Sequence, residues 1–184
     1  MKQILIDMDG VLVDFVSAAM DVHGETYVPS EWPAGVWDVV KVLNARDHIS
    51  LTTRQFWKNI DETYGFWRKL RPLSTANELL NVVAATNLPW SISTSPSRHP
   101  NSSSGKVEWL QQFFGDGFRD YMLGPNKHLL ANPETVLIDD GTHNVNAFRE
   151  AGGHAILFPQ PWNENHAITN KVEHVRRELT ALTT

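Results

Sequence analysis

Ile4-Leu5-Ile6-Asp7-Met8-Asp9-Gly10-Val11-Leu12-Val13-Asp14-Phe15 is the stretch on which the reading of this chain turns. A short apolar run cut off by Asp and Gly has the signature of a buried parallel strand, and in open α/β sheets ligands sit beyond the carboxyl ends of such strands. Two carboxylates, Asp7 and Asp9, therefore stand where chemistry is usually done. Taken alone the same residues also read as a strand entering an Asp-Gly hairpin, with Val11 to Val13 as the returning arm.

Working outward, other apolar runs end in polar, chemistry-bearing groups. Thr135-Val136-Leu137-Ile138-Asp139-Asp140-Gly141 is a second buried strand that stops in acids. Paired like charges at such a place are unfavourable unless a cation or hydrogen-bond donors compensate them. Trp90-Ser91-Ile92-Ser93-Thr94-Ser95-Pro96-Ser97 reads as a strand finishing in a hydroxyl-rich loop. Hydroxyls and exposed backbone N–H groups there can grip a phosphate oxygen, although an ordinary Ser-Pro turn has the same composition. Tyr121-Met122-Leu123 is a short edge-strand candidate and His154 to Phe158 a final strand.

Between these runs the pattern is helical. Asp14 is placed to cap a helix from Phe15 to about His23, ended by Gly24. Thr52-Thr53-Arg54-Gln55 and Thr75-x-x-Glu78 each have the form of a capping box. The second opens a helix within Ser74 to Asn87, with Leu79, Leu80, Val82 and Val83 as its buried stripe. After a polar loop from Pro100 to Gly105, a helix is expected from about Lys106 to Phe114, with Trp109, Leu110 and Phe113 inward and Gly115 as its stop. Asn144 to Ala151 forms another. Val172, Val175, Leu179 and Leu182 mark a packing helix in the tail. Strands alternating with helices indicate an α/β fold with a parallel sheet.

From Glu25 to about Leu73 the chain changes character, with Pro29, Pro33 and Gly35 between short segments and four of the seven tryptophans. We read residues 15–73 as a small helical cap and residues 1–14 and 74–184 as the core domain. Its tryptophans can be the packing centre of that small unit, or flat surfaces for a nucleobase to stack on.

The 184 residues suffice for one α/β domain with a modest insertion. Cysteine is absent, which excludes disulfides, thiolate zinc sites and a thiol nucleophile. A net charge of −5 argues against stable nucleic-acid binding and leaves phosphate affinity to local groups and a metal. No apolar run reaches membrane-spanning length and no leader pattern opens the chain, so a cytoplasmic protein without membrane association is expected. The eight histidines form no metal-binding pair, and His143 is notable only for its place beside the acids.

Asp7-Met8-Asp9-Gly10-Val11-Leu12, then Thr94 or Ser95 at a strand end, then Lys127, then Asp139-Asp140 resemble, in order, the four motifs of the haloacid dehalogenase-like (HAD) phosphohydrolases. The resemblance implies a Rossmann-like three-layer sandwich with a five-stranded parallel sheet and a cap after the first strand. It also implies an aspartyl-phosphate mechanism with Mg²⁺. Asp7 is then the nucleophile and Asp9 the acid and base. Lys127, Thr94 and Ser95 bind the phosphoryl group. Asp7, Asp140 and the backbone carbonyl of Asp9 bind the metal, and Asp139 and Asn144 support it. The residue types suit the chemistry: a carboxylate needs no prior deprotonation to attack, and an alkoxide leaving group needs an acid beside it. A loop lysine is otherwise most often solvent-facing, and Lys127 is distinguished only by this company.

Within that class, Asp14-Phe15, Gly65-Phe66-Trp67 before Leu70-x-Pro72, Thr94-Ser95-Pro96 and Leu137 to Asp140 are most similar to the 5′(3′)-deoxyribonucleotidases. Phe15, Phe66 and Trp67 match aromatics of that group, and Trp37 and Trp57 are further candidates for a base pocket. The implied partner is a small-molecule nucleotide, and a homodimer is a compatible assembly. The alternatives are a HAD phosphatase acting on another small phosphate ester or on a polynucleotide 3′ end, or a catalytically silent nucleotide-binding module.

Overall fold

Five parallel strands form the centre of the computed structural model, in which residues 1–183 are described: β1 (Gln3–Ile6), β2 (Trp90–Thr94), β3 (Tyr121–Leu123), β4 (Thr135–Asp139) and β5 (His154–Leu157). Their order is β3-β2-β1-β4-β5, so the chain starts in the middle of the sheet, builds outward to one edge and then to the other. Ile4, Ile6, Val136, Ile138 and Ile156 are wholly or almost wholly buried, as a sheet covered on both faces requires. This is the Rossmann-like α/β sandwich expected from the sequence.

The helices are α1 (Phe15–Val22), α2 (Val39–Asn44), α3 (Thr53–Glu62), α4 (Ala76–Ala84), α5 (Pro100–Phe114), α6 (Thr142–Glu150) and α7 (Lys171–Thr183). Asp14 caps α1 by accepting from the Ser17 N–H at 3.1 Å. Thr52 and Gln55 close a capping box on α3. The second expected box is absent, because Thr75 already has helical backbone angles and its side chain makes no cap bond. Leu79, Val82 and Val83 are buried on α4, whereas Leu80 is only partly covered.

The hairpin alternative falls and one expectation about a loop is corrected. Val11 to Val13 form no hairpin strand: the N–H groups of Leu12 and Val13 both donate to the Met8 carbonyl, closing a tight turn directly after β1. Residues 100–105 are not a loop but the first turns of α5. Pro100 supplies the first helical residue, where its missing N–H costs nothing, and the His99 side chain caps the Asn101 N–H.

The chain leaves the sheet at Asp14 and returns beside its exit. The Asp14 N–H donates to the Arg71 carbonyl at 2.9 Å, and the Leu73 N–H donates to the Leu12 carbonyl at 2.8 Å. Between these paired crossings lie α1 to α3 and two short 3₁₀ turns, Pro29–Glu31 and Trp67–Lys69.

Candidate active site

The carboxyl ends of β1 and β4 lie side by side, since Ile6 pairs with Ile138. That register brings Asp7, Asp139 and Asp140 together, one oxygen of each lying within 4.8 Å of the others. All three are buried. Lys127 opens a short 3₁₀ turn after β3 and is buried among them, its Nζ 2.7 Å from Asp7 Oδ1 and 2.6 Å from Asp139 Oδ2. Asp139 also accepts from the Gly141 N–H at 2.8 Å and from Asn144 Nδ2 at 3.1 and 3.2 Å. Asn144 thus reaches Asp139.

Burial sets the electrostatics here. Desolvation pushes the Asp7 carboxyl up to about 7, with Lys127 opposing and Asp139 and Asp9 adding to the rise. Asp140 is also held well above the ordinary carboxylate range, by burial first and then by Asp139 and Asp7. Burial alone would lower Lys127, but Asp7 and Asp139 more than offset it and hold its ammonium charged. Three carboxylates with one ammonium leave a deficit of two positive charges, and every donor atom is a hard oxygen. The cluster therefore fits a divalent cation.

Gly10 makes this closeness attainable. Its φ is +75°, and a Cβ there would lie 2.1 Å from Asp140 Oδ2, so both conformation and space require glycine.

Asp9 is paired differently. Its Oδ2 accepts from Lys106 Nζ at 2.5 Å, while its Oδ1 is buried without a hydrogen-bond partner among the described residues. Lys106, on α5, is fully buried and also donates to Thr94 Oγ1 at 3.0 Å. Thr94 thus lies behind the site surface, whereas Ser95 lines it and donates to the Gly124 carbonyl.

A cavity of about 770 Å³ is lined by the polar set Asp7, Asp9, Ser95, Lys127 and Asp140 and by the aromatic set Phe15, Trp37, Trp57 and Trp67. Phe15 stacks with Trp57 at 5.9 Å and 27°, and with Trp67 at 5.7 Å and 17°. Trp37 meets His143 edge-on at 5.3 Å. Phe66 is a correction to the expected base pocket: it is buried edge-on to Phe15 and Trp67 and does not line the cavity. Its neighbour Trp67 faces the cavity instead, because adjacent residues of a 3₁₀ turn point in different directions.

Four residues around the site were missed by sequence reasoning. Trp162 Nε1 donates to Asp140 Oδ2 at 2.7 Å, Asn163 Nδ2 to the Asp140 carbonyl at 2.9 Å, and Gln160 Nε2 to the Gly10 carbonyl at 2.5 Å. They belong to the turn after β5 that folds back over the strand ends. The fourth, Lys106, did leave a signal: it sits three, four and seven residues before Trp109, Leu110 and Phe113, on the stripe expected to face inward.

Residues 1–178 match the family model described as 5′ nucleotidase, deoxy (pyrimidine), cytosolic type C protein (NT5C). The chain belongs to this family. It is a phosphomonoesterase. The 5′(3′)-deoxyribonucleotidase of Bacillus subtilis strain 168 is 30% identical over 97% of this chain and 98% of its own length. Among solved structures, a HAD family hydrolase from Deinococcus radiodurans with bound phosphate and sodium superposes with a TM-score of 0.58 at 16% identity, covering 98% and 96% of the two chains. A haloacid dehalogenase-like hydrolase from Xanthomonas campestris gives 0.59 at 12% identity, covering 100% of this chain and 92% of its own. These two likenesses establish the fold alone. Among the described residues no helix is long and apolar enough to cross a membrane.

Proposed function

We propose that this chain hydrolyses deoxyribonucleoside monophosphates through an aspartyl-phosphate on Asp7, with Mg²⁺ as cofactor. The observation that carries this reading is a cavity lined both by buried carboxylates with Lys127 and by aromatic rings, of which Phe15 stacks with Trp57 and Trp67. The first set suits a phosphoryl group and the second a base. Its size is in the range of small-ligand pockets. The name of the Bacillus relative points to the same substrate class.

In this mechanism an oxygen of Asp7 attacks phosphorus in line with the leaving nucleoside oxygen. Lys127 and Ser95 spread the charge of the equatorial oxygens, with Thr94 anchoring the loop behind them. As the P–O bond breaks, Asp9 gives its proton to the nucleoside oxygen. Asp9 then takes a proton from the water that releases phosphate and restores Asp7. Asp7, Asp140 and the Asp9 backbone carbonyl would hold Mg²⁺, which when bound would supply Lewis-acid neutralisation of the phosphoryl charge. Asp139, held by Gly141, Asn144 and Lys127, keeps that lysine in place. Residues 15–73 act as the cap that selects the substrate, over a core of residues 1–14 and 74–184. The paired chain crossings at Asp14 and Arg71 support that division.

Phosphate release with Mg²⁺ across 5′ and 3′ deoxy- and ribonucleoside monophosphates and sugar phosphates, with Asp7→Asn as blank, tests the reading. Chelator-sensitive preference for deoxynucleotides is expected. Activity confined to sugar phosphates overturns the substrate assignment, and silence on every compound overturns turnover itself.

A further inference from the structure

Lys106 is a lysine with no exposed surface, placed by a helix on which nothing in the four motifs falls. Burying an ammonium without a purpose is costly, and every donor of this one is engaged. It donates to Asp9 Oδ2 at 2.5 Å and to Thr94 Oγ1 at 3.0 Å, and lies 4.0 Å from Met8 Sδ. The Trp67 ring covers it, with the ammonium 4.9 Å from the ring centre. That cover depends on Gly105, where a Cβ would come within 2.7 Å of Trp67 Cβ.

We infer that Lys106 is the positioning residue for proton transfer by Asp9. Among the described residues it supplies the one hydrogen bond to the Asp9 carboxylate, whose other oxygen has none. Thr94, at the end of β2, fixes the ammonium to the sheet and Trp67 fixes it from the inserted segment. Asp9 itself belongs to the tight turn after β1, and among the described residues no other hydrogen bond fixes its carboxyl group. The tie matters to the step in which the P–O bond breaks and the proton on Asp9 passes to the departing oxygen. It also matters when that carboxylate takes a proton from water. A leaving group stable as an anion needs no such proton, which separates positioning of the acid from general damage to the site.

The inference rests on the phosphatase reading above, and wild-type activity on the two substrates checks that reading separately. The experiment compares kcat/KM for a deoxynucleoside 5′-monophosphate and for 4-nitrophenyl phosphate in wild type, Lys106→Met and Lys106→Gln. The ratio kcat/KM reports events only up to departure of the leaving group, so slow hydrolysis of the phosphoenzyme does not enter it. Lys106→Met is expected to lose roughly 10²–10³-fold on the nucleotide and less than about tenfold on the aryl phosphate, the share general acid catalysis usually carries. Lys106→Gln, which keeps an N–H donor, is expected to fall between. In an Asp9→Asn background, Lys106→Met is expected to cost under about threefold more on the nucleotide, because residues acting as a unit are not additive. Equal losses on both substrates, full additivity with Asp9→Asn, or unfolding of both Lys106 variants by circular dichroism would each make Lys106 a structural residue and overturn the inference. A wild type that hydrolyses another alkyl phosphate in place of nucleotides overturns the substrate reading alone, and the same split is then read on that ester. A wild type without activity on any ester overturns both.

Discussion

The two sides of the cavity are built on opposite principles. The acid side comes from strand ends in fixed register, is buried, and is tied by short charged hydrogen bonds: Asp7, Asp139 and Asp140 around Lys127. The aromatic side comes from the segment between β1 and β2, and two of its rings remain partly open, Trp37 at 47% and Trp57 at 36%. In the reading proposed above, the first serves phosphoryl chemistry in general, and the second, which is more exposed, selects the substrate. Changes to the first should therefore reduce turnover of every substrate, and changes to the second should separate substrates.

The largest effect is expected from Asp7→Asn. Loss of the nucleophile should lower kcat by at least about 10⁴-fold on nucleotides and small phosphate esters alike, read as phosphate release, with the far-ultraviolet spectrum unchanged. A loss confined to nucleotides would contradict a nucleophile common to all substrates.

Gly10→Ala attacks the same side through the backbone. A Cβ 2.1 Å from Asp140 Oδ2, at φ +75°, should destabilise the fold by roughly 1–3 kcal/mol in urea unfolding, with activity lost on all substrates.

Cation binding sharpens the contrast through pH. The folded-state pKa of Asp7 is raised from 3.8 to about 7, so the stability linked to its protonated form is complete below about pH 4 and lost as pH rises through about 7. A divalent cation offsets that loss. At a hundredfold excess over its dissociation constant it should add about 2.7 kcal/mol near pH 8 and much less near pH 5, where a proton competes for Asp7. Thermal unfolding with and without Mg²⁺ at the two pH values measures this, and an equal gain at both would refute the electrostatic account.

Trp57→Ala should have the smallest effect and the most selective. Loss of one stacking surface should raise KM for deoxynucleotides by about 5- to 100-fold and leave kcat/KM for a small sugar phosphate within about twofold. An equal loss on both would make the aromatic side structural.

How far the sequence reached follows the same division. Asp7, Asp9, Asp139 and Asp140 were legible because each closes an apolar run, and a strand end is a local feature. Lys127 was legible only through the company it keeps, as nothing local distinguishes it from a surface lysine. Lys106 escaped because Pro100 to Gly105 reads as polar punctuation. In the structure those residues are helix, capped by His99, and they turn Lys106 toward Asp9. Phe66 and Trp67 could not be told apart from spacing, because which ring faces the cavity depends on how a three-residue turn seats against α5.

By itself, then, the sequence determined the parallel α/β sheet, the position of the acids at its strand ends and the aromatic character of the inserted segment. These follow from hydrophobic period and turn chemistry, which act over a few residues. Only the tertiary structure decided which lysine meets which carboxylate, that Trp162, Asn163 and Gln160 fold back to hold Asp140 and Gly10, and which rings line the cavity. Gln160 bonds to Gly10 across 150 residues of chain and Lys106 to Asp9 across 97, separations at which no local pattern constrains the partner.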